Sequence, residues 1–388
     1  MKLTINKKQF LASWGLAERS TSASGSVSIL SSILVKAGFE SVLLQATDIK
    51  TSIICFASGV TVNEPGEAVF PIKMVSDLFK KAPGEEFTVE VNEGRVTLRA
   101  GRSKYNFSSY PVREFPALPS SDNAGVFCRL SAADLAKVID EGTLAASTGE
   151  EFPLYLSSAN LQISQNRLSI ISTDTRRLAI SSALAADGVE DAAALLPMKG
   201  VKELQRILGS LNPETEVKVL YDSAQFYFKT DTLEFTVRRV ESKFPPYEKI
   251  LPKNSTLNVV TDRGSLISAL ERVDVIVRDF NRMVVLDIIP GAEIVLLAKA
   301  PDFGQAKEEI GAEAEGEKLR IAVNSKFFLE ALKVMRDPEV KLSFNGQAGH
   351  MAVKRGDSDD FLCLIAPINL SEEELRMFDM EQNGTDGI

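Results

Sequence analysis

The sequence predicts an α+β protein of three duplicated domains, each with two helices packed on antiparallel sheets. Three observations predict it. A weak repeat of about 120–130 residues runs along the chain. Helix-start residues recur at matching places in each repeat. Proline-containing stretches fall where one repeat would hand over to the next.

The opening helix of each repeat is expected at Asn6–Ser20, Ser131–Ala146 and Asp262–Val277. Each begins on a residue whose side chain can accept a hydrogen bond from the open helix end. Apolar residues recur at helical spacing within them, as in Leu266, Leu270 and Val273. The second helices are expected at Pro71–Ala82, Pro197–Ser210 and Asn324–Met335, each after a short strand. Proline suits a first helical position, where its missing N–H costs nothing. Alternating runs follow, Phe87–Val91, Glu216–Leu220 and Val340–Phe344, which read as strands. Asp48 and Asp174 sit in matching segments, Ala46–Lys50 and Ser172–Arg176. Tyr110–Pro119 and Arg239–Pro252 are the expected linkers. Domains 1–122, 123–253 and 254–370 follow, with an acidic tail at 371–388. Ala300–Gly316, rich in Ala, Glu and Gly, reads as a mobile loop.

Composition excludes several classes. No apolar run is long enough to span a membrane, and no secretory signal is evident. Cys55, Cys128 and Cys363 lack metal or redox spacing, so buried thiols in a reducing cytoplasm are expected. His350 is the only histidine, and no phosphate-binding loop, dinucleotide fingerprint or hydrolase motif is present. No cofactor, metal or catalytic residue is expected. An enzyme would need an unrecognised carboxylate or lysine site with strongly perturbed pKa values.

The net charge of −9 argues against binding nucleic acid unless the basic residues are segregated. They are. Lys199, Lys202 and Arg206 share one helical face, and Lys73/Lys80 and Lys326/Lys333 are each seven apart. Each second helix carries a net +2, counting Arg336 with the third, although solvated helix faces would look the same.

Thr173–Ala179 and the Lys243–Tyr247…Leu251–Pro252 stretch, with the repeat, resemble the bacterial sliding clamp family, the beta subunit of DNA polymerase III. The likeness covers residues 1 to about 370. It implies a homodimer closing head to tail into a ring of six domains around double-stranded DNA, without sequence preference. Implied partners are the polymerase III alpha subunit, a clamp loader and other proteins carrying a clamp-binding motif. Lys73, Lys80, Lys199, Lys202, Arg206, Lys326 and Lys333 would face DNA. Tyr105 and Phe107 would meet Val275 and Ile276 of a second copy. The implied partner-peptide pocket comprises Leu156, Thr173, Thr175, Arg176, Arg177, Leu178, Pro245, Lys249, Ile250, Leu364, Ile365, Ala366, Pro367 and Ile368. Leu178, Ile250, Leu364 and Ile368 would hold the apolar anchors, with Thr173 and Arg177 near the polar rim. The chain departs from the family at Asn369, where arginine is usual, and in its tail. A specialised clamp-like scaffold that dimerises and binds peptides is the alternative.

Overall fold

A computed structural model describes residues 1–21, 28–149, 151–188, 192–291, 293–301, 303–356, 358–370 and 378. The expected acidic tail therefore lies outside the described residues, apart from Phe378. Among the described residues, six α-helices form at the expected places: α1 (Lys7–Glu18), α2 (Ile72–Lys81), α3 (Ala132–Gly142), α4 (Met198–Leu208), α5 (Arg263–Val277) and α6 (Ser325–Val334). Among the described residues, no helix is long and apolar enough to cross a membrane.

The helix starts follow from side-chain chemistry. Asn6 accepts from the Gln9 N–H, Asp262 from Ser265, and Asn324 from Lys326 and Phe327. Ser131 accepts from the Asp134 N–H at 3.0 Å and donates to its carboxylate. The prolines behave differently from expectation. Pro71 and Pro197 have extended backbone, close the preceding strands, and stand one residue before the helix.

The chain packs as two compact units. The first holds Met1–Ala136, Ile163–Leu168 and Leu184–Glu241. It contains a five-stranded antiparallel sheet in the order Val60–Glu64, Lys2–Asn6, Glu86–Asn92, Arg95–Ala100, Ser103–Ser108. A separate eight-stranded sheet joins strands of the first and second repeats, where Phe235 of Leu233–Arg238 lies opposite Ile53 of Thr51–Phe56. Gly200 of α4 lies so close to this sheet that a Cβ there would come within 2.6 Å of Val237. Phe10, Trp14, Phe70 and Phe79 form a fully buried aromatic core, with Trp14 and Phe79 edge to face at 5.0 Å.

The second unit holds Lys137–Gln162, Ser169–Ala183 and the chain from Ser242 onward. Strand Arg177–Leu184 pairs with Phe361–Ile365, and Met351–Arg355, Glu339–Phe344, Leu257–Asp262 and Glu313–Gly316 follow in order. A four-stranded sheet runs Gly304–Gly311, Glu293–Ala300, Met283–Ile289, Leu319–Asn324. Helices α5 and α6 bury Leu266, Leu270, Val273, Phe328 and Leu332 in one core with both sheets of this unit. A buried ionic knot also lies here. Arg355 contacts Glu141 through Nη2, Asp360 through Nη1 at 2.8 Å, and Asp337 through Nε at 3.0 Å. Lys137 reaches Asp360 at 2.9 Å, and Ser181 donates to Glu141 at 2.6 Å.

The expected loop at Ala300–Gly316 is instead mostly strand: Gly304–Gly311 pairs along its length with Glu293–Ala300. Alternation, not composition, decides it. Ala306, Glu308 and Ile310 share the sheltered face, and Arg272 of α5 grips Glu308 with two hydrogen bonds of 2.8 and 2.7 Å.

Candidate functional site

The candidate cleft grows from one tight turn. Thr173 Oγ1 donates to the Arg177 carbonyl at 2.7 Å and accepts the Thr175 N–H at 3.1 Å. Asp174 Oδ1 accepts the N–H groups of Arg176 and Arg177, each at 3.0 Å. The turn holds Thr175 at φ 74°, unusual for a β-branched residue. The segment around Asp48 builds the same turn. Thr47 Oγ1 donates to the Thr51 carbonyl at 2.8 Å, Asp48 Oδ1 accepts from Lys50 and Thr51, and Ile49 has φ 75°.

The C-terminal strand is zipped to this turn. Leu178 lies opposite Leu364, Arg177 opposite Ile365, and the Ala366 N–H donates to the Arg176 carbonyl at 2.8 Å. Ile171, Leu178, Ala352 and Leu364 form an apolar cluster beneath the linker, and Phe244, Tyr247 and Leu251 pack upon it. Tyr247 donates to Gln162 at 2.9 Å, and Phe244 meets Tyr155 and Tyr247 edge to face at 6.0 Å. Burial raises the Tyr247 hydroxyl above the usual tyrosine range, with the Glu248 charge adding to it, so it remains a donor.

The expected pocket residues therefore sort into layers. Ile250 is 44% exposed; Thr175, Arg176 and Lys249 are exposed, and Pro245, Ala366 and Pro367 half-buried. Leu156, Leu178, Leu364 and Ile365 are buried. Two placements correct the expectation of a polar rim. Thr173 is buried, with its hydroxyl spent inside the turn. Arg177 is also buried: its guanidinium bonds Asp174 at 2.9 Å, pairs with Glu330 and lies 4.2 Å above the Phe327 ring. A third correction concerns Ile368. It joins a different cluster, with Met283, Val285, Val295, Leu297 and Ala322. The bound partners Glu330 and Phe327 carry no local sequence signal, since they lie on α6. Phe244 and Tyr247 are visible in the sequence as the aromatic pair flanking two prolines.

The seven expected DNA-facing cations are all exposed. Their pairing is uneven. Lys199 meets Asp48 at 2.7 Å, Lys333 meets Glu271 at 2.6 Å, Lys80 and Lys326 lie 3.8 and 3.9 Å from Glu18 and Glu330, and Arg206 pairs with Glu203. Burial opposes ionisation of Asp48, but hydrogen bonds from Lys199 and Thr51 outweigh it and hold its carboxyl below the usual range. Lys73 and Lys202 form no ion pair among the described residues. Tyr105 and Phe107 lie half-buried on Ser103–Ser108, an edge strand. Val275 is 56% exposed on α5, and Ile276 packs partly against the core. Cys55, Cys128 and Cys363 are free and buried, and burial pushes each thiol up to about 12.

A two-helix unit on antiparallel sheets, built three times over, is the DNA-clamp fold. The N-terminal, central and C-terminal domains of the DNA polymerase III beta subunit match residues 1–119, 129–246 and 248–369. The chain is 28% identical over 372 residues to the beta sliding clamp of Pseudomonas putida, covering 95% of this chain and 100% of that one. It is 29% identical over 380 residues to the beta sliding clamp of Staphylococcus aureus, covering 95% and 99%. The crystal structure of the Bacillus subtilis sliding clamp superposes with a TM-score of 0.89 at 26% identity, over 96% of this chain and 100% of that one. A Pseudomonas aeruginosa beta subunit bound to griselimycin gives 0.88 at 26% identity, over 95% and 100%.

The chain belongs to the DNA polymerase III beta subunit family. Its function is that of a sliding clamp in DNA replication, a non-catalytic processivity factor and not an enzyme.

Proposed function

We propose that two copies close head to tail into a ring of six domains around double-stranded DNA in the cytoplasm, with domain boundaries near 122 and 253. The ring tethers the polymerase alpha subunit and other proteins with a clamp-binding motif, after a clamp loader has opened it. The observation that carries this reading is the recurrence of exposed cations on α2, α4 and α6, the second helix of each repeat. Phosphate contacts of this kind bind without reading sequence, which suits sliding. Edge strand Ser103–Ser108, with Tyr105 and Phe107, supports closure against a second copy near Val275 and Ile276, because exposed edges are otherwise a liability.

Retention on circular DNA tests the ring. With loader and ATP, the chain is expected to stay on nicked circular duplex through gel filtration and to be lost once the circle is cut. Val275→Glu should abolish retention while leaving circular dichroism unchanged. Equal retention on linear DNA would sink the ring.

The proposed partner pocket takes a short peptide carrying a glutamine and a Leu/Phe pair. Leu178 and Leu364 form its floor, Ile250 its exposed apolar wall, and Thr175, Arg176 and Lys249 its polar edge. Ile250→Asp is expected to weaken such a peptide about tenfold or more by calorimetry, since a charge would be desolvated against the anchor. It is a cleaner test than Leu178→Lys, because Leu178 is 2% exposed and supports the linker. Unchanged affinity would reject the pocket. Asn369, exposed where the family usually has arginine, motivates the alternative of a specialised peptide-binding scaffold, for which loading by the cell's own loader would fail.

A further inference from the structure

The four-stranded sheet of the third repeat carries an apolar patch on each face, and the second face also holds an ion pair of buried Asp287 with Arg320 beside its patch. Val284, Leu286, Ile294, Leu296, Ile321 and Val323 face the core under α5 and α6. Their neighbours Met283, Val285, Val295, Leu297 and Ala322 leave the other side. An antiparallel sheet with a solvated second face is normally polar there. The five-stranded sheet of the first unit follows that rule, with Thr4 paired to Asn63 and Thr97 to Asn106 at exposed positions. In the third repeat the patch Met283, Val285, Val295, Leu297 and Ala322 departs from that rule, and all five residues are buried.

Among the described residues, those that cover this face come from the same chain. Ile368, Leu370 and Phe378 pack on it, and Phe378 is 4% exposed. The family match stops at residue 369, so Phe378 lies in an addition to the shared fold. Residues 371–388 hold six acids and one base. An aromatic ring in so charged a segment stays in water unless a seat exists for it. The seat also adjoins the partner cleft: Ala366 bonds the Arg176 turn, and two residues later the Ile368 N–H bonds the Ala322 carbonyl of the sheet at 2.8 Å.

We propose that the Met283–Val285–Val295–Leu297–Ala322 face is a docking site for an aromatic side chain, filled in the free chain by Phe378 of its own tail. The tail is then a built-in competitor for any partner that presents an aromatic residue beside acids. Tethering gives the intramolecular occupant a high effective concentration, so a partner must displace it.

A labelled peptide of residues 371–388 tests this on the full chain. It is expected to bind the Phe378→Ala chain at least ~10-fold more tightly than the unsubstituted chain, by fluorescence anisotropy. The same peptide with its own Phe378→Ala should not bind. Adding Ile250→Asp to the Phe378→Ala chain should leave binding unchanged, which separates this face from the partner cleft. No binding to either chain, equal binding to both, or loss on Ile250→Asp would each overturn the proposal.

Discussion

Arg355→Ala is expected to destabilise the second unit by about 3–5 kcal/mol, because it strands a buried carboxylate. Glu141 is 4% exposed and has Arg355 as its cationic partner, with Ser181 as its other hydrogen bond. Water cannot replace a guanidinium there. Chemical denaturation of the full chain measures the effect. Arg355→Met combined with Glu141→Gln should recover much of the loss, since no uncompensated charge then remains buried. A loss below about 1 kcal/mol for Arg355→Ala would show the knot to be hydrated and weak. The acid side of the stability curve should change as well. Burial opposes ionisation of Asp360, but hydrogen bonds from Ser358 and Lys137 and the Arg355 charge outweigh it, leaving its carboxyl below the usual range. A group lowered on folding stabilises above its unfolded value, about 3.9, and that contribution is lost as pH falls through the folded value. Removing Arg355 should raise the folded value and shrink that acid-labile part.

The second large effect concerns DNA. Changing Lys73, Lys202 and Lys326 together to glutamate is expected to weaken binding to duplex roughly a hundredfold at low salt. The slope of log affinity against log salt should become shallower by about 0.9 for each phosphate contact removed. Lys73 and Lys202 should dominate, because no carboxylate competes for them among the described residues. Lys199 and Lys333, held at 2.7 and 2.6 Å by Asp48 and Glu271, should matter less. Anisotropy titrations across a salt series, with sedimentation showing the dimer intact, measure this. An unchanged slope would mean that these helices do not meet the phosphates.

Much of this architecture is legible in the sequence because its signals are local. Asn6, Asp262 and Asn324 cap their own helices, so the caps can be read a few residues at a time. The Thr–Asp turn likewise satisfies itself within five residues. The misread features depend on distant partners. Arg177 reads as a rim cation because nothing nearby in sequence announces Glu330 and Phe327. Ile368 and Leu364 are four apart in one segment, yet different sheets claim them. Strand Gly304–Gly311 is hidden by its small and acidic composition until Arg272 and the neighbouring strand give it partners. The family resemblance supplies the pocket residues, whereas their layering is a property of packing.

The turn built twice, at Thr47–Thr51 and at Thr173–Arg177, separates scaffold from cargo. Threonine and aspartate hold the backbone, so the last position is left open to vary. At one site it is Thr51, whose hydroxyl donates back to Asp48 at 2.9 Å. At the other it is an arginine that reaches a helix residue 153 positions further along the chain. Arg177 also bonds Asp174 within the turn, so the longer side chain keeps the local brace and adds a long-range anchor without altering the bend beneath it. The same frame thus serves two ends: one copy closes on itself, and the other ties its strand to a helix through a single buried side chain.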